Sequence, residues 1–229
     1  MLETLLNEIP RFFTYYNIVF LLKALLATFL LSALGCVIGS VLGFLIAVGR
    51  NTTSPVLMPL RGALILYTEM FRRIPFLVTL MLAFFVFQAL KWDLSMFSVA
   101  LVTVCAIGTA FIAEIVRSGF ESVHDNQWDA AYAMNFSYLQ TLRYVVVPQA
   151  WKVILPPVFS FFILFIKDTA LASQIGVLEL TYAGKVMNNK GFSATLVFGT
   201  ILILYFSLSY PLAKFGQRLE KKLAPARNR

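Results

Sequence analysis

Charge is the first scarcity in this sequence. Only 13% of its 229 residues are Asp, Glu, Lys or Arg, while 59% are hydrophobic, and the mean hydropathy is +0.80. Soluble domains carry about a quarter charged residues, so the composition excludes an ordinary water-soluble domain and points to a polytopic membrane protein. Histidine is scarcer still: His124 is the one copy. It lies in a polar stretch with no Ser, Cys or metal-partner pattern, which reads as a solvated side chain rather than a catalytic one. Cys36 and Cys105 both fall inside apolar runs, where cysteine behaves as a small buried hydrophobe, and no disulfide or metal spacing exists. A Gly-rich, Lys-bearing phosphate loop is missing too, so the chain cannot hold ATP in the usual way. No catalytic residue, metal ligand or bound cofactor is therefore expected. The start, Met1 to Tyr16, is polar and acidic rather than basic then apolar, so a cleavable signal peptide is not expected either.

What is present is a series of long apolar runs. Ala24 to Gly49 carries no charge and exceeds the about 20 residues needed to cross hydrocarbon. Gly35, Gly39 and Gly43 recur on one face of it, a spacing that lets helix backbones approach closely in lipid. The other spans are expected at about 62–90, 94–116, 153–178 and 191–213, after a first at about 20–49. The whole chain, 1–229, reads as a single membrane domain with a polar loop over 120–150.

The apolar runs are not clean. Glu69, Arg72 and Arg73 sit at helical spacing within the second, followed by Pro75. They read either as a solvated cluster at a helix end or as charges facing a cavity, the default for charge inside a span. Glu114 and Arg117 close the third span and are expected to pair there. Lys167 and Asp168 interrupt a helix of about 26 residues that Pro156 and Pro157 enter on a bend. Sequence neighbours point about 100° apart on a helix, so each of these two needs another partner: a charge of the second span, a ligand, or a buried structural pair.

The polar loop carries its own punctuation. Asn126 with Asp129 has the pattern of a helix start, and Ser137 with Gln140 that of a capping box. Asn135 lies between, and Asn readily takes the left-handed conformation that ends helices. Two short helices are expected, about 127–134 and 138–147, joined by a corner at Asn135, Phe136 and Ser137. Pro148 is then expected to interrupt the helix and turn the chain.

This loop resembles the EAA loop of ABC importer permeases, whose pattern is E-A-A, three residues, Gly, nine residues, then I-x-L-P. Asp129, Ala130 and Ala131 stand at E-A-A, Asn135 at the Gly, Val145 at the Ile, Val147 at the Leu and Pro148 at the Pro. Asp for Glu shortens the reach of the acid, and Asn for Gly is tolerated at a left-handed corner. The segments Tyr67–Leu80, Ala110–Gly119 and Phe165–Leu180 are similar to the polar amino-acid branch of the same family. The resemblance implies an all-α integral membrane fold of the ABC importer type I permease kind, with five transmembrane helices and a cytoplasmic two-helix coupling loop. It implies import of a polar or charged amino acid, delivered by a periplasmic binding protein. ATP and Mg would be bound by a partner ATPase, and a second homologous permease chain would complete a homo- or heterodimer. Asp129, Ala130, Ala131, Asn135, Arg143 and Pro148 are the expected coupling residues. Glu69, Arg72, Lys167 and Asp168 are the expected substrate-binding residues, the acids for an ammonium and the bases for a carboxylate.

Basic residues support one orientation. With the loop in the cytoplasm, eleven of the 19 Lys and Arg lie on that side and four on the other, the bias that sets topology. The N-terminus is then outside and the C-terminus, with six of those bases, inside. Because the bases crowd one end after an apolar run, the net charge of +8 reads as topology and not as a nucleic-acid surface. An ion-coupled secondary transporter of small polar solutes is the rival reading. It would call for inverted repeats that the two halves do not display.

Overall fold

The computed structural model describes residues 2–52 and 55–223, with the side chains of 2–6 and 55 excepted. In chain order its α-helices are α1 (Leu2–Phe12), α2 (Tyr15–Arg50), α3 (Met58–Arg73), α4 (Phe76–Ala89), α5 (Met96–Glu121), α6 (Asp125–Ala133), α7 (Tyr138–Thr141), α8 (Val147–Asp168), α9 (Leu180–Asn189) and α10 (Ala194–Leu223). No strand occurs among the described residues. Four helical stretches are long and apolar enough to cross a membrane: Tyr15–Arg50, Met96–Glu121, Tyr138–Ile175 and Ala194–Leu223. A fifth span is formed if α3 and α4 count together. Neither suffices alone: at 1.5 Å per residue, their 16 and 14 residues are shorter than the about 30 Å hydrocarbon core. Pro75 has no N–H to continue the ladder, and Ile74 before it is extended at φ −86°, ψ 133°, the conformation a following proline imposes.

The described chain divides into two compact units. The first comprises the stretch up to Gly35 with Pro75–Val104 and Ile163–Leu212. Its core gathers Phe12, Leu21, Ala24, Leu180, Ala183, Met187, Val197 and Ile201, all nearly or fully buried. Two polar groups beside this core have their partners within the unit. The Leu180 N–H donates to Thr28 Oγ1 at 3.1 Å. Glu179, fully buried, caps α9 by accepting from the N–H groups of Thr181 and Tyr182 at 2.9 and 2.7 Å, and from the Tyr205 hydroxyl at 2.8 Å. Burial pushes the Glu179 carboxyl above the usual carboxylate range, and the hydrogen bonds it accepts oppose that shift.

Lys167 and Asp168 also belong to this unit, and here the structure departs from expectation. The helix does not run on through them. It ends at Asp168, tightens to a 3-10 stretch over Thr169–Ile175, and stops at Gly176, whose φ is +85°. Tightening at a helix end is a common way to satisfy carbonyls left without partners. Here the Thr169 hydroxyl also donates to Ile166 O at 2.7 Å.

The second unit comprises Cys36–Ile74, Cys105–Phe162 and the stretch from Ala213. In it the small-residue stripe of α2 does what its spacing implies. A Cβ on Gly39 would lie 2.9 Å from the Gly108 carbonyl carbon, and one on Gly43 2.8 Å from the Ala113 nitrogen. The backbones of α2 and α5 are therefore in direct contact, which a side chain at either glycine would break.

Candidate functional site

The polar loop folds largely as its local chemistry dictates. Asn135 takes φ +61°, one of two positive-φ non-Gly residues among those described. Ser137 and Gln140 form the reciprocal box: the Gln140 N–H donates to Ser137 Oγ at 3.4 Å, and the Ser137 N–H to Gln140 Oε1 at 2.8 Å. Three details differ from expectation. The cap of α6 is His124, whose Nδ1 accepts from the Asn126 N–H at 3.2 Å, so Asn126 lies inside the helix it was expected to start. Ala131 is fully buried and α6 packs on the turn at 142–146, so the close approach this alanine permits is within the chain. Pro148 does not turn the chain either. A π turn over Leu142–Val146 precedes it, closed by the Val147 N–H reaching back to Leu142 O, and helix continues from there into α8. The wider turn gives room to a proline ring that would otherwise press on the carbonyl four residues back.

The outcome is a two-helix corner with an apolar outer surface. Tyr132, Met134, Leu139 and Tyr144 are 47–66% exposed, and Asp129, Ala130 and Arg143 are exposed beside them. The Arg143 guanidinium lies 5.6 Å from the Tyr144 ring centre, within cation–π range. Apolar exposure of this kind is found at protein or membrane interaction surfaces.

The candidate substrate residues divide by unit. In the second, Glu69 accepts from Arg73 Nε at 2.7 Å, and Arg72 Nη1 stands 3.7 Å from Glu69 and 3.4 Å from Glu114. Glu114 is the hub. It also accepts from Arg50 Nη1 at 3.0 Å and pairs with Arg117, which in turn pairs with Glu121. One carboxylate thus serves arginines from α2, α3 and α5. Arg50, 9% exposed, is the member the sequence reading missed. It stands at the end of an uncharged run, where nothing local marks it as a partner of Glu114. The Nε groups of Arg50 and Arg72 are buried without a hydrogen-bond partner. Beside Arg72 lies a cavity of about 280 Å³ whose lining also includes Glu114, Ser118, Phe111 and Val153. In the first unit, Lys167 is exposed and Asp168 half-buried, and neither makes an ion pair among the described residues.

Residues 39–221 match the family described as binding-protein-dependent transport system inner membrane component. The chain belongs to this family. It is therefore a multi-pass permease subunit, a class of membrane component that is not itself an enzyme. Over 205 residues it is 32% identical to the probable amino-acid ABC transporter permease protein YckA of Bacillus subtilis (strain 168), covering 90% of this chain and 89% of that one. It is 31% identical to the glutamine transport system permease protein GlnP of Escherichia coli (strain K12), covering 86% and 89%. A solved structure titled "Crystal structure of an amino acid ABC transporter with histidines" superposes with a TM-score of 0.80 at 26% identity, over 89% of this chain and 94% of that chain. An inward-facing MetNI methionine ABC transporter structure, at 23% identity and a TM-score of 0.71, shares the fold.

Proposed function

We propose that the chain is the membrane-spanning half of an ATP-driven importer for a polar or charged amino acid. The observation that carries this reading is the corner at Asn135, with its exposed apolar face and the exposed Asp129. Such a surface has no use in a permease that works alone. A separate ATPase holds ATP and Mg, and its cleft receives α6 and α7. Asp129 and Arg143 make the polar contacts, and Ala130 allows close approach. Ala131, Asn135 and Pro148 hold the corner in shape. When two ATPase subunits close on nucleotide, the docked corners move together. Packed helices switch between discrete arrangements rather than deforming continuously, so that motion alternates the access of the transport path.

The loop faces the cytoplasm, the N-terminus lies outside, and a periplasmic binding protein delivers the cargo to a pair of permease chains. Asp168, with Glu69, suits an ammonium group; Lys167 and Arg72 suit a carboxylate. Asp168 and Lys167 support this best because no ion pair occupies them. Arg72 keeps a free Nε, whereas Glu69 is engaged by Arg73. The names of the relatives support amino acids as the cargo class. The ion-coupled alternative is not favoured, because its relatives would not be binding-protein-dependent permeases. The test is Asp129→Lys in the natural host. ATPase subunits that co-purify with the wild-type chain are expected to be lost, and a retained complex would remove the docking role.

A further inference from the structure

A hydrogen bond ties the corner of the loop back to α2, and that tie has a continuation. The Tyr138 hydroxyl donates to Val48 O at 2.9 Å, bridging 90 positions of sequence. Val48 lies in the last turn of α2, where carbonyls have run out of intrahelical N–H partners, so the phenol closes a group the helix leaves open. Two residues further, Arg50 donates to Glu114 on α5 at 3.0 Å, and the same Oε2 faces Arg72 of α3 at 3.4 Å. Arg72 is two residues short of the break at Ile74. All of these contacts lie within the second unit.

We propose that Tyr138 is a positioning residue for energy coupling, whose hydroxyl hands displacement of the corner to the end of α2, from which Arg50 and Glu114 pass it to α5 and α3. The ring itself lines a concavity of about 400 Å³ with Asn51, Trp128 and Tyr132 among its neighbours. A half-buried tyrosine that merely satisfied its own hydroxyl would matter for stability alone. A transmitting one matters for the ratio of transport to hydrolysis. Contact geometry alone does not establish coupling, so the test has to measure it. This inference rests on the loop being the ATPase docking site.

Tyr138→Phe keeps the ring and deletes the hydrogen bond. In the assembled complex in lipid vesicles, the ATPase is expected to co-purify in wild-type amount with ATP turnover within about twofold. Uptake per ATP is expected to fall about fivefold, the factor corresponding to one ordinary hydrogen bond. Combining it with Arg50→Lys should add little beyond the worse single variant, because links in series are not additive. An unchanged uptake-to-ATP ratio overturns the proposal. So does loss of the ATPase from Tyr138→Phe, which would make Tyr138 part of the docking face, and so do fully additive losses in the double variant. A wild-type chain that brings down no ATPase overturns the docking reading instead, a separate failure.

Discussion

Glu114 and Asp168 are both carboxylates within helices apolar enough to cross a membrane, yet their surroundings are opposite. Glu114 is held by guanidinium groups of Arg50, Arg72 and Arg117. Asp168 makes no ion pair among the described residues, its sequence neighbour Lys167 included. Charge in apolar surroundings is costly and persists when it is neutralised in place or when a cavity or cargo meets it. By that rule the Glu114 cluster holds three helices together, whereas Lys167 and Asp168 are the charges that the proposed function assigns to cargo.

The largest effect should come from breaking the neutralised side. Glu114→Gln leaves three arginines without their shared anion, one of them 9% exposed. Removing one partner of a buried ion pair costs about 3–5 kcal/mol, so the purified chain should melt markedly earlier in detergent. An unchanged melting temperature would mean the cluster contributes nothing to the fold.

A third carboxylate sharpens the contrast. Glu179 is as buried as any residue here, but its partners are backbone N–H groups and a phenol rather than arginines. Burial raises its pKa in the folded chain. The folded state therefore binds this proton more tightly than the unfolded state does. Stability falls as pH rises from the ordinary Glu value of about 4.3 upward to the raised one. Glu179→Gln should cost about 1 kcal/mol at low pH, the scale of one hydrogen bond, and flatten the pH dependence of melting in that window. A profile that keeps its slope would assign the dependence to another group.

What was legible in the sequence was what is local. The Ser137–Gln140 box and the left-handed Asn135 are side-chain and backbone chemistry completed within four residues, and both formed as read. The glycine stripe on α2 was legible because helical spacing alone puts Gly39 and Gly43 on one face. Arg117 was legible as a partner of Glu114 from its i,i+3 spacing, but Arg50 was not: it is 64 positions away, and nothing local marks it as more than the end of an apolar run. The π turn before Pro148 was hidden for a related reason. A proline inside a helix can be met by a break, a kink or a widened turn, and the residue alone does not say which. His124 displaced Asn126 as a cap because a ring nitrogen accepts a backbone N–H as a carboxamide oxygen does, an option outside the usual cap residues.

The smallest expected structural change carries the most functional weight. Asp168→Asn should leave the melting temperature and the co-purifying ATPase as they are, since no ion pair is lost. Amino-acid uptake by the reconstituted complex should fall at least tenfold. Uptake at the wild-type rate, with the complex intact, would contradict the assignment of the unpaired charge to the cargo.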